Sequence, residues 1–563
     1  MSGTLDRRRT RLRLAITAGA EGRRGSTSGE PRIGTVALAR VSVWVLLAGL
    51  VIAPLTMVVT LGLGDDHREL LLRDGIIRAT VNSILTSVAS GLLSVVIGLV
   101  LALLLDRTDL IGRGWIRLLA LSPMLMPPFV GAIAWTGLLG PGGTLNRLFD
   151  WPLWDIRGGD GVTFLLTVHS TPLAYLIIAG ALHRVPGALE EAGRISGASP
   201  ARVFTDVTLP LLRPAMLSAF TLNAVSALGD FGIPALLGLP VRFYTLSTMV
   251  YRYIQSGTVD SPLQVSSQIG LLLMALGITG VIVDHLAARR RSGELAGGGA
   301  DSVVRLGRWR IAVSVIAAAA VVAATLLPVI GLTLRALVPA PGIPLTPQTA
   351  TLENFTTALG SPNARRGIVN SLLLAAGAAI ATTALGTVIA ILTTRTRSRD
   401  NVAMQVMTLL PQAIPGTIIA VGWLILGRHT GLYNTRELIL LAYITAFTAI
   451  VAQAVRAPLA GTPAALEEAA RISGASRARA LIDVAGRMAA PVALTGGLLV
   501  ALTAVRELTL SALLLAPGTQ TLGVVIFNLQ QAGDYSSASA LSLLVAAVGL
   551  TGLGLVGTAR PVR

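Results

Sequence analysis

The chain of 563 residues contains no cysteine and no lysine, so all 45 basic residues are arginine. Without cysteine it has no disulfide, no thiolate metal site and no thiol nucleophile. Without lysine it cannot form the P-loop in which a lysine contacts nucleotide phosphates, and it cannot form a Schiff base. The chain therefore cannot carry a standard ATPase site of its own.

Charged residues are also scarce, at 13% against 53% hydrophobic residues, and the mean hydropathy is +0.72. Apolar runs of about 20 residues recur along the chain, and each is long enough to cross a bilayer as a helix. The runs are continuous rather than alternating, which favours helices over barrel strands. We therefore predict an all-α polytopic membrane protein with about twelve transmembrane helices, at residues 37–61, 79–105, 116–139, 162–182, 215–239, 265–286, 311–334, 368–393, 403–427, 437–456, 492–515 and 538–558.

The two halves of the chain repeat each other. Glu190–Ser199 matches Glu467–Ser476 at nine of ten positions, at an offset of 277 residues. Three further pairs align at an offset of 288 residues: Asn82 with Asn370, Pro127 with Pro415, and Trp135 with Trp423. The pattern predicts two tandem six-helix repeats. The predicted domains are a basic tail (1–36), a first transmembrane domain (37–286), a linker (287–310), a second transmembrane domain (311–558) and a C-terminal tail (559–563).

Arginine is concentrated in the N-terminal tail, the linker and every second loop. The positive-inside rule assigns these segments to the cytoplasm, so both termini are predicted to be cytoplasmic and the protein to lie in the cell membrane. Topology then accounts for the net charge of +17, and no nucleic-acid partner is needed to explain it. The full-length apolar run after the tail argues against a cleaved signal peptide.

Both copies of the repeated polar segment, Ala188–Pro214 and Ala465–Pro491, are predicted to lie on the cytoplasmic face. In the first copy a short helix is expected before Gly197, which breaks it, and Ser199 is placed to cap a second helix. Leu209, Pro210 and Pro214 are expected to end that second helix before the next span. We call such a helix–glycine–helix unit an elbow, and its shape suits insertion into a groove on a partner.

Here the sequence resembles the permeases of ABC importers, whose cytoplasmic signature is E-A-A-x3-G-x9-I-x-L-P. The first copy places at the signature positions Glu191, Ala192, Gly193, Gly197, Val207, Leu209 and Pro210. The second copy places there Glu468, Ala469, Ala470, Gly474 and Val484. It departs from the signature at its end, where Gly486 and Arg487 replace Leu-Pro, which leaves the end of the second elbow open.

The resemblance implies the type I ABC importer permease fold. It implies that the elbows dock on a separate ATPase dimer, with Glu191 and Glu468 contacting that partner and Gly197 and Gly474 supplying the turns. ATP and Mg would be bound by the ATPase, so this chain would have no cofactor and would not be an enzyme. An external solute-binding protein would deliver a small solute.

A finer resemblance, carried by Leu228–Leu237 and Val505–Leu514, is to fused permeases for iron(III), thiamine or aminoethylphosphonate. Iron(III) is the first candidate substrate. Thiamine, aminoethylphosphonate, polyamines and other small solutes stay open.

Asp230 and Glu507 are carboxylates within predicted spans, and they align at the offset of 277. A charge in the bilayer is costly, so both should face the bundle interior or a water-filled path. We predict that they lie near the pore or its gate, with a structural hydrogen bond or a pair between Glu507 and Arg506 as the alternative. His169 is expected to be a core residue, and the histidines show no metal-ligand spacing, so no metal site is predicted.

An ion-coupled secondary transporter with two six-span halves is the alternative from another class. It would explain coupling carboxylates but gives no reason for duplicated cytoplasmic elbows. A membrane enzyme is a third class, and the sequence offers it no convergent catalytic set.

Overall fold

A computed structural model describes residues 35–64, 67–149, 154–257, 259–289, 304–340 and 343–558. Most of the predicted N-terminal tail, the greater part of the predicted linker and the predicted C-terminal tail lie outside these ranges. Proximity of backbone positions divides the chain into two units, Met1–Ser42 and Val43–Arg563. In the first unit, residues 35–42 are helical. The second unit contains the rest of the two halves.

The first half is built from helices of very different lengths. In chain order they are α1 (Thr35–Gly62), α2 (Arg68–Arg73), α3 (Ile76–Arg107), α4 (Arg113–Met124), α5 (Pro128–Leu139), α6 (Thr144–Leu148), α7 (Gly159–Leu182), α8 (Gly187–Ile195), α9 (Pro200–Gly229), α10 (Gly232–Leu237), α11 (Leu246–Ile254) and α12 (Pro262–Arg289). A short 3₁₀ turn follows α10 at Leu239–Val241.

The second half repeats this order except for α6, which has no counterpart among its described helices. Its helices are α13 (Arg310–Ala336), α14 (Glu353–Gly360), α15 (Pro362–Arg395), α16 (Asn401–Ala413), α17 (Gly416–Thr430), α18 (Arg436–Gly461), α19 (Ala465–Ile472), α20 (Arg477–Val505), α21 (Thr509–Leu513), α22 (Leu522–Gln531) and α23 (Tyr535–Thr558). The prediction of an all-α polytopic protein made of two repeats is confirmed.

Within the described ranges, nine helices are long and apolar enough to cross a membrane, or eleven if each of two bent pairs forms one span. Each of the twelve predicted spans overlaps one of these helices or α23. The twelfth coincides with α23, whose apolar described stretch, Tyr535–Gly549, is shorter than a full span. The predicted fifth and eleventh spans were displaced, because α9 ends at Gly229 and α20 at Val505.

The third and ninth predicted spans are bent rather than straight. α4 and α5 meet at 104°, and α16 and α17 meet at 105°. Pro127 and Pro128 stand at the first break, and Pro415 stands at the second. Proline has no N–H to donate and disfavours the helical conformation of the residue before it, and Ile414 is accordingly extended (φ −106°, ψ 131°). The aligned prolines therefore account for the position of each bend.

Three long helices pack together in each half: α3, α7 and α9 in the first, and α15, α18 and α20 in the second. Glycine permits the closest approach. A Cβ added at Gly98 would lie 2.8 Å from the nitrogen of Tyr175, and one added at Gly386 would lie 2.9 Å from the nitrogen of Ala452. These positions correspond between the halves, so the duplication extends to the packing. Small residues at helix crossings are typical of membrane bundles.

The first span of each half packs on the other half. Within the second unit, α1 lies against α17 and α18, where Trp44 Nε1 donates to Asp400 Oδ2 at 2.7 Å and Thr445 Oγ1 donates to the carbonyl of Leu50 at 2.9 Å. α13 in turn packs against α5. The halves are therefore interlocked rather than joined only by the linker.

Valine in place of Gly98 should destabilise the protein by about 1–3 kcal/mol, because its side chain must displace the backbone of α7. The thermal unfolding midpoint of the purified protein in detergent measures this. Gly180→Val is the matched control, since no atom lies within 4 Å of a Cβ at that position on α7. Equal midpoints for the two variants would contradict the close approach of α3 and α7.

Candidate coupling elbows and central cavity

The first elbow has the predicted helix–glycine–helix form. α8 begins after Pro186 and ends at Ile195, and Gly197 then turns the chain with a φ of +84°. That left-handed conformation is unfavourable for residues with a side chain. Arg202 N donates to Ser199 Oγ at 3.3 Å, so Ser199 caps the helix that follows.

The second elbow has the same geometry. α19 ends at Ile472, and Gly474 has a φ of +93°. Arg479 N donates to Ser476 Oγ at 3.3 Å, as in the first copy. The repeated sequence therefore gives two elbows with matching backbones.

The prediction that Leu209, Pro210 and Pro214 end the second helix of the elbow was wrong, and Pro214 lies inside the continuing helix. α9 continues from Pro200 to Gly229 and passes these residues through a π turn, Phe204–Thr208, in which the N–H of Leu209 donates to the carbonyl of Phe204. The altered hydrogen-bond pattern lets the helix include a proline, which has no N–H. α20 contains a matching π turn, Leu481–Gly486, although Gly486 and Arg487 stand in place of Leu-Pro. The end of the second elbow, left open by the sequence, thus follows the same course as the first.

The predicted contact residues differ in their accessibility. Glu191, Ala192, Glu468 and Ala469 are exposed, as are both turn glycines. Gly193 and Ala470 are half-buried, and a Cβ at Gly193 would lie 3.1 Å from Val203 Cγ2. Leu209 and Pro210 are half-buried within α9, away from the turn.

The sequence reasoning missed the apolar residues that the elbows expose. Ile195 and Ile472 are each 88% exposed at the ends of α8 and α19. Leu189 and Leu466 are 45% and 49% exposed on the same helices. An apolar side chain repeated at the tip of two polar loops was the available signal. We call Ile195 and Ile472 the apolar tips.

A second feature was also missed, at the start of each elbow. Glu190, beside the exposed Glu191, is buried and lies 3.7 Å from Arg107 Nη2. Glu467 is likewise buried and lies 3.1 Å from Arg395 Nε. Both glutamates are adjacent to the signature glutamate and were not distinguished from it by sequence.

Asp230 and Glu507 both lie at breaks in the helices, where their carboxylates accept hydrogen bonds from backbone N–H groups. Ile233 N donates to Asp230 Oδ1 at 2.9 Å, and Leu510 N donates to Glu507 Oε1 at 2.7 Å. Both carboxylates therefore make the structural hydrogen bond that was the alternative interpretation of these two residues. Among the described residues, no ion pair joins Glu507 to Arg506, whose Nη1 donates instead to the carbonyl of Met124 in the other half at 2.5 Å.

The same carboxylates line a cavity of about 580 Å³ between the halves. Pro128 and Pro415, at the two bends, also line it. His169, predicted as a core residue, faces this cavity. The polar residues of the lining are Ser226, His169, Asp230, Gln412, Thr503, Thr509, Arg506 and Glu507. The hydrogen-bonding and cavity-lining roles of the carboxylates thus coexist.

An aromatic cluster joins the two halves beside this cavity. The ring centroid of Phe231 lies 4.8 Å from that of Tyr251 and 5.8 Å from that of Phe527, and Tyr251 and Phe527 are 6.0 Å apart. Phe231 directly follows Asp230. The cluster thus brings Tyr251 of the first half against Phe527 of the second half.

The part of the chain that the structure describes contains no group of three His, Cys, Asp or Glu side chains placed to hold a metal ion. The polar groups of the cavity thus line a space without forming a closed ligand set. Two interlocked, duplicated helical halves with matching exposed elbows and a shared cavity define a membrane permease.

The chain belongs to the family of binding-protein-dependent transport system inner membrane components, whose model matches residues 94–293 and 382–559. The prediction of an ABC importer permease with both halves in one chain is thereby confirmed. The protein is a multi-pass inner-membrane component, and its family implies an ATPase and a binding protein as partners. It is not itself an enzyme and carries no cofactor. The family also decides against the ion-coupled alternative.

Three relatives resemble most of the chain at low identity. A putative ferric transport system permease protein, FbpB 1, of Haemophilus influenzae is 26% identical over 65% of the chain, and the chain spans 58% of that protein's length. A ferric transport system permease protein, FbpB, of Actinobacillus pleuropneumoniae is 24% identical over 84% of the chain and 70% of its own length. A probable ABC transporter permease protein, y4fN, of Sinorhizobium fredii is 26% identical over 77% of the chain and 79% of its own length.

Valine in place of Gly197 or Gly474 should loosen the corresponding elbow, because a β-branched residue is strained at a φ of +84° or +93°. Hydrogen exchange of the elbow amides in the purified protein should become about tenfold faster or more, in line with a local cost of 1–3 kcal/mol. Gly461→Val, on the same face and with no atom within 4 Å of its Cβ, is the control. Unchanged exchange in both elbow variants would show that the turns tolerate a side chain.

Proposed function

We propose that this chain moves iron(III) into the cytoplasm, with both of its termini on the cytoplasmic side. The two halves are residues 37–286 and 311–558, the linker is 287–310, and the tails are 1–36 and 559–563. Both elbows lie on the cytoplasmic face and dock on an ATPase dimer, and the binding protein delivers the ion from outside. The observation that carries this mechanism is the pair of matching elbows with exposed apolar tips.

The orientation is supported by the distribution of arginine. The tail, the linker and the loops that contain the elbows are rich in arginine, and the opposite set of loops is poor in it. Six spans in each half, as the sequence predicts, would put both elbows on one face. A symmetric pair of sites on one face fits a dimeric partner.

Coupling is supported by the chemistry of the elbow surface. An isoleucine that is 88% exposed gains free energy when a partner covers it, by about 2 kcal/mol for a fully buried aliphatic side chain. The exposed glutamates Glu191 and Glu468 flank this apolar tip and add polar contacts at its edge. ATP and Mg belong to the partner, because a chain without lysine lacks the residue that a P-loop needs.

The central cavity is the proposed path, with Asp230 and Glu507 near its gate and the aromatic cluster of Phe231, Tyr251 and Phe527 beside it. Closure of the ATPase dimer moves the two elbows, and the halves rock from inward-facing to outward-facing. The cavity then receives the ion from the binding protein, and hydrolysis resets it. Carboxylate oxygens suit a hard cation, and passage requires binding that is weak enough to permit release.

Iron as the substrate is supported by the names of two relatives, both called ferric transport system permeases. The chain should be reconstituted in liposomes with the ATPase and binding protein encoded next to it. Uptake of radioactive iron(III) should require ATP, the ATPase and the binding protein. If thiamine, a phosphonate or a polyamine is taken up in an ATP-dependent way instead, that solute replaces iron as the proposed substrate. Uptake driven by a proton or sodium gradient alone would overturn the importer mechanism.

Glutamate in place of both apolar tips, Ile195 and Ile472, should weaken ATPase binding by about tenfold or more, because a charge would have to enter an apolar groove. Co-purification of the ATPase and transport-stimulated ATP hydrolysis measure the effect. Leu352→Glu is the control, since Leu352 is 67% exposed in a loop predicted to lie on the opposite face. Full ATPase association of the double variant would refute docking at the tips.

Asp230→Asn and Glu507→Gln should each reduce transport by about tenfold while leaving expression unchanged, and Asp230→Asn should also leave the unfolding midpoint unchanged. The amide oxygen of Asn can still accept from Ile233 N, and that of Gln from Leu510 N, whereas the bond that Ser511 N donates to Glu507 Oε2 at 3.1 Å is lost together with the charge. Iron uptake in proteoliposomes is the measurement, with the exposed Asp206→Asn as control. Normal uptake in both variants would remove the carboxylates from the path.

A further inference from the structure

The elbows are anchored to the rest of the molecule by buried ion pairs. Arg107 is the last residue of α3, and Glu190 lies in the first turn of α8. Their side chains are 9% and 7% exposed, with Arg107 Nη2 3.7 Å from Glu190 Oε1. Arg107 also donates to the carbonyl of Leu182 at 3.1 Å, and Thr208 Oγ1 donates to Glu190 Oε1 at 3.0 Å. This buried contact connects the end of the second span, the end of α7 and the elbow.

The second half contains the corresponding pair. Arg395 is the last residue of α15, and its Nε lies 3.1 Å from Oε1 of Glu467, in the first turn of α19. Arg395 Nη1 donates to the carbonyl of Thr462 at 3.0 Å. The arginines are 288 residues apart and the glutamates 277, which are the two offsets of the repeat. The pair was therefore duplicated with the fold.

The helices themselves favour this arrangement of charges. A cation is stabilised at a helix C-terminus and an anion in a first turn, so each pair joins two helix ends of matching polarity. Removing one partner of a buried pair leaves an uncompensated charge, which is strongly unfavourable. In contrast, Glu191 and Arg194 of the same elbow are exposed. In each elbow the tip is therefore exposed to solvent, while the base, which is the first turn of α8 or α19, is held by a buried ion pair.

The pair also links elements that are not adjacent in the chain. α8 follows α7 and precedes α9, and it packs mainly on the first turns of α9. α3 is not connected to the elbow by a short stretch of chain. It packs against both α7 and α9 in the core of its half. The buried ion pair is a direct polar contact between the elbow and this third core helix.

We propose that Arg107–Glu190 and Arg395–Glu467 are latches that transmit the displacement of each elbow to the second span of its own half. The proposal rests on the proposed docking of the elbows on an ATPase. With the latch intact, an elbow moves with all three core helices of its half. Without it, the elbow moves relative to α3 or α15, and the work of the ATPase is not fully transferred. The four side chains are thus positioning residues for coupling.

The first test uses the purified permease alone. Because the chain has no cysteine, Ile195→Cys and Ile472→Cys each provide a single site for a nitroxide label. Arg107→Gln and Glu190→Gln should each increase label mobility at residue 195, and Arg395→Gln and Glu467→Gln should do so at residue 472. Each effect should be confined to its own half. The exchanged variant R107E/E190R should restore part of the order.

Asp206→Asn is the matched control, because Asp206 forms an exposed pair with Arg202 at 3.4 Å on the same elbow. It should leave the label unchanged. If the latch variants also leave it unchanged, the proposal is refuted, whatever the partner of the elbow is. If Arg107→Gln fails to fold, Glu190→Gln, whose amide oxygen can still accept from Thr208 Oγ1, decides the same measurement.

The second test measures coupling in liposomes with the ATPase and binding protein. The ATP hydrolysed per iron ion imported should rise about tenfold in the latch variants, within the range of typical coupling energies. ATPase association should be retained, because the apolar tips are intact. Loss of transport and hydrolysis in equal proportion would show a merely structural role and overturn the latch. Failure of the unmodified protein to bind an ATPase would instead refute the proposed function, while the label measurement still decides whether the pairs fix the elbows.

Discussion

Each backbone N–H inside a hydrocarbon layer needs a hydrogen-bond partner, and this constraint determines where the chain can depart from a helix. The breaks at Pro127, Pro415, Asp230 and Glu507 all adjoin one cavity between the halves. At two of these breaks a side chain replaces the missing helical partner: Asp230 accepts from Ile233 N and Glu507 from Leu510 N. The carboxylates that satisfy these backbone groups also line the cavity, so under the proposed function stability and passage would depend on the same atoms.

Under the proposed function the elbows meet a different requirement, because they would have to be exposed to a partner and yet move the helices behind them. Exposure is concentrated at Ile195 and Ile472, and burial at Glu190 and Glu467, only a few residues away. Little more than one turn of helix separates an exposed apolar side chain from a buried carboxylate. A short stiff helix with its base held by an arginine can transmit a push, whereas a loop held only by its two chain connections would bend.

The sequence was sufficient for the helices, the duplication and the two elbows, because hydrophobic run length, repeat offset and glycine position report those features directly. It was not sufficient for the course of the chain after the elbow. Pro210 was interpreted as a stop, but the π turn at Phe204–Thr208 carries the helix past it, and local propensity alone does not predict that turn. Glu190 and Glu191 are neighbours of identical chemistry, and only the position of Arg107 on a distant helix distinguishes the buried one from the exposed one. The cavity likewise depends on which helix ends meet in space.

The two halves do differ, but not at the end of the second elbow, where the departure from the signature suggested a difference. Replacement of Leu-Pro by Gly486 and Arg487 leaves the elbow backbone unchanged, since both copies contain a π turn and a capped second helix. The differences lie around the charges. Thr208, which supports Glu190, corresponds to Ala485, and Arg506 in the cavity corresponds to Gly229. A dimeric ATPase would therefore meet two elbows of the same shape with differently supported bases, while a solute in the cavity would meet a guanidinium from one side only. The two halves therefore share their backbone geometry and differ in the residues around their charges.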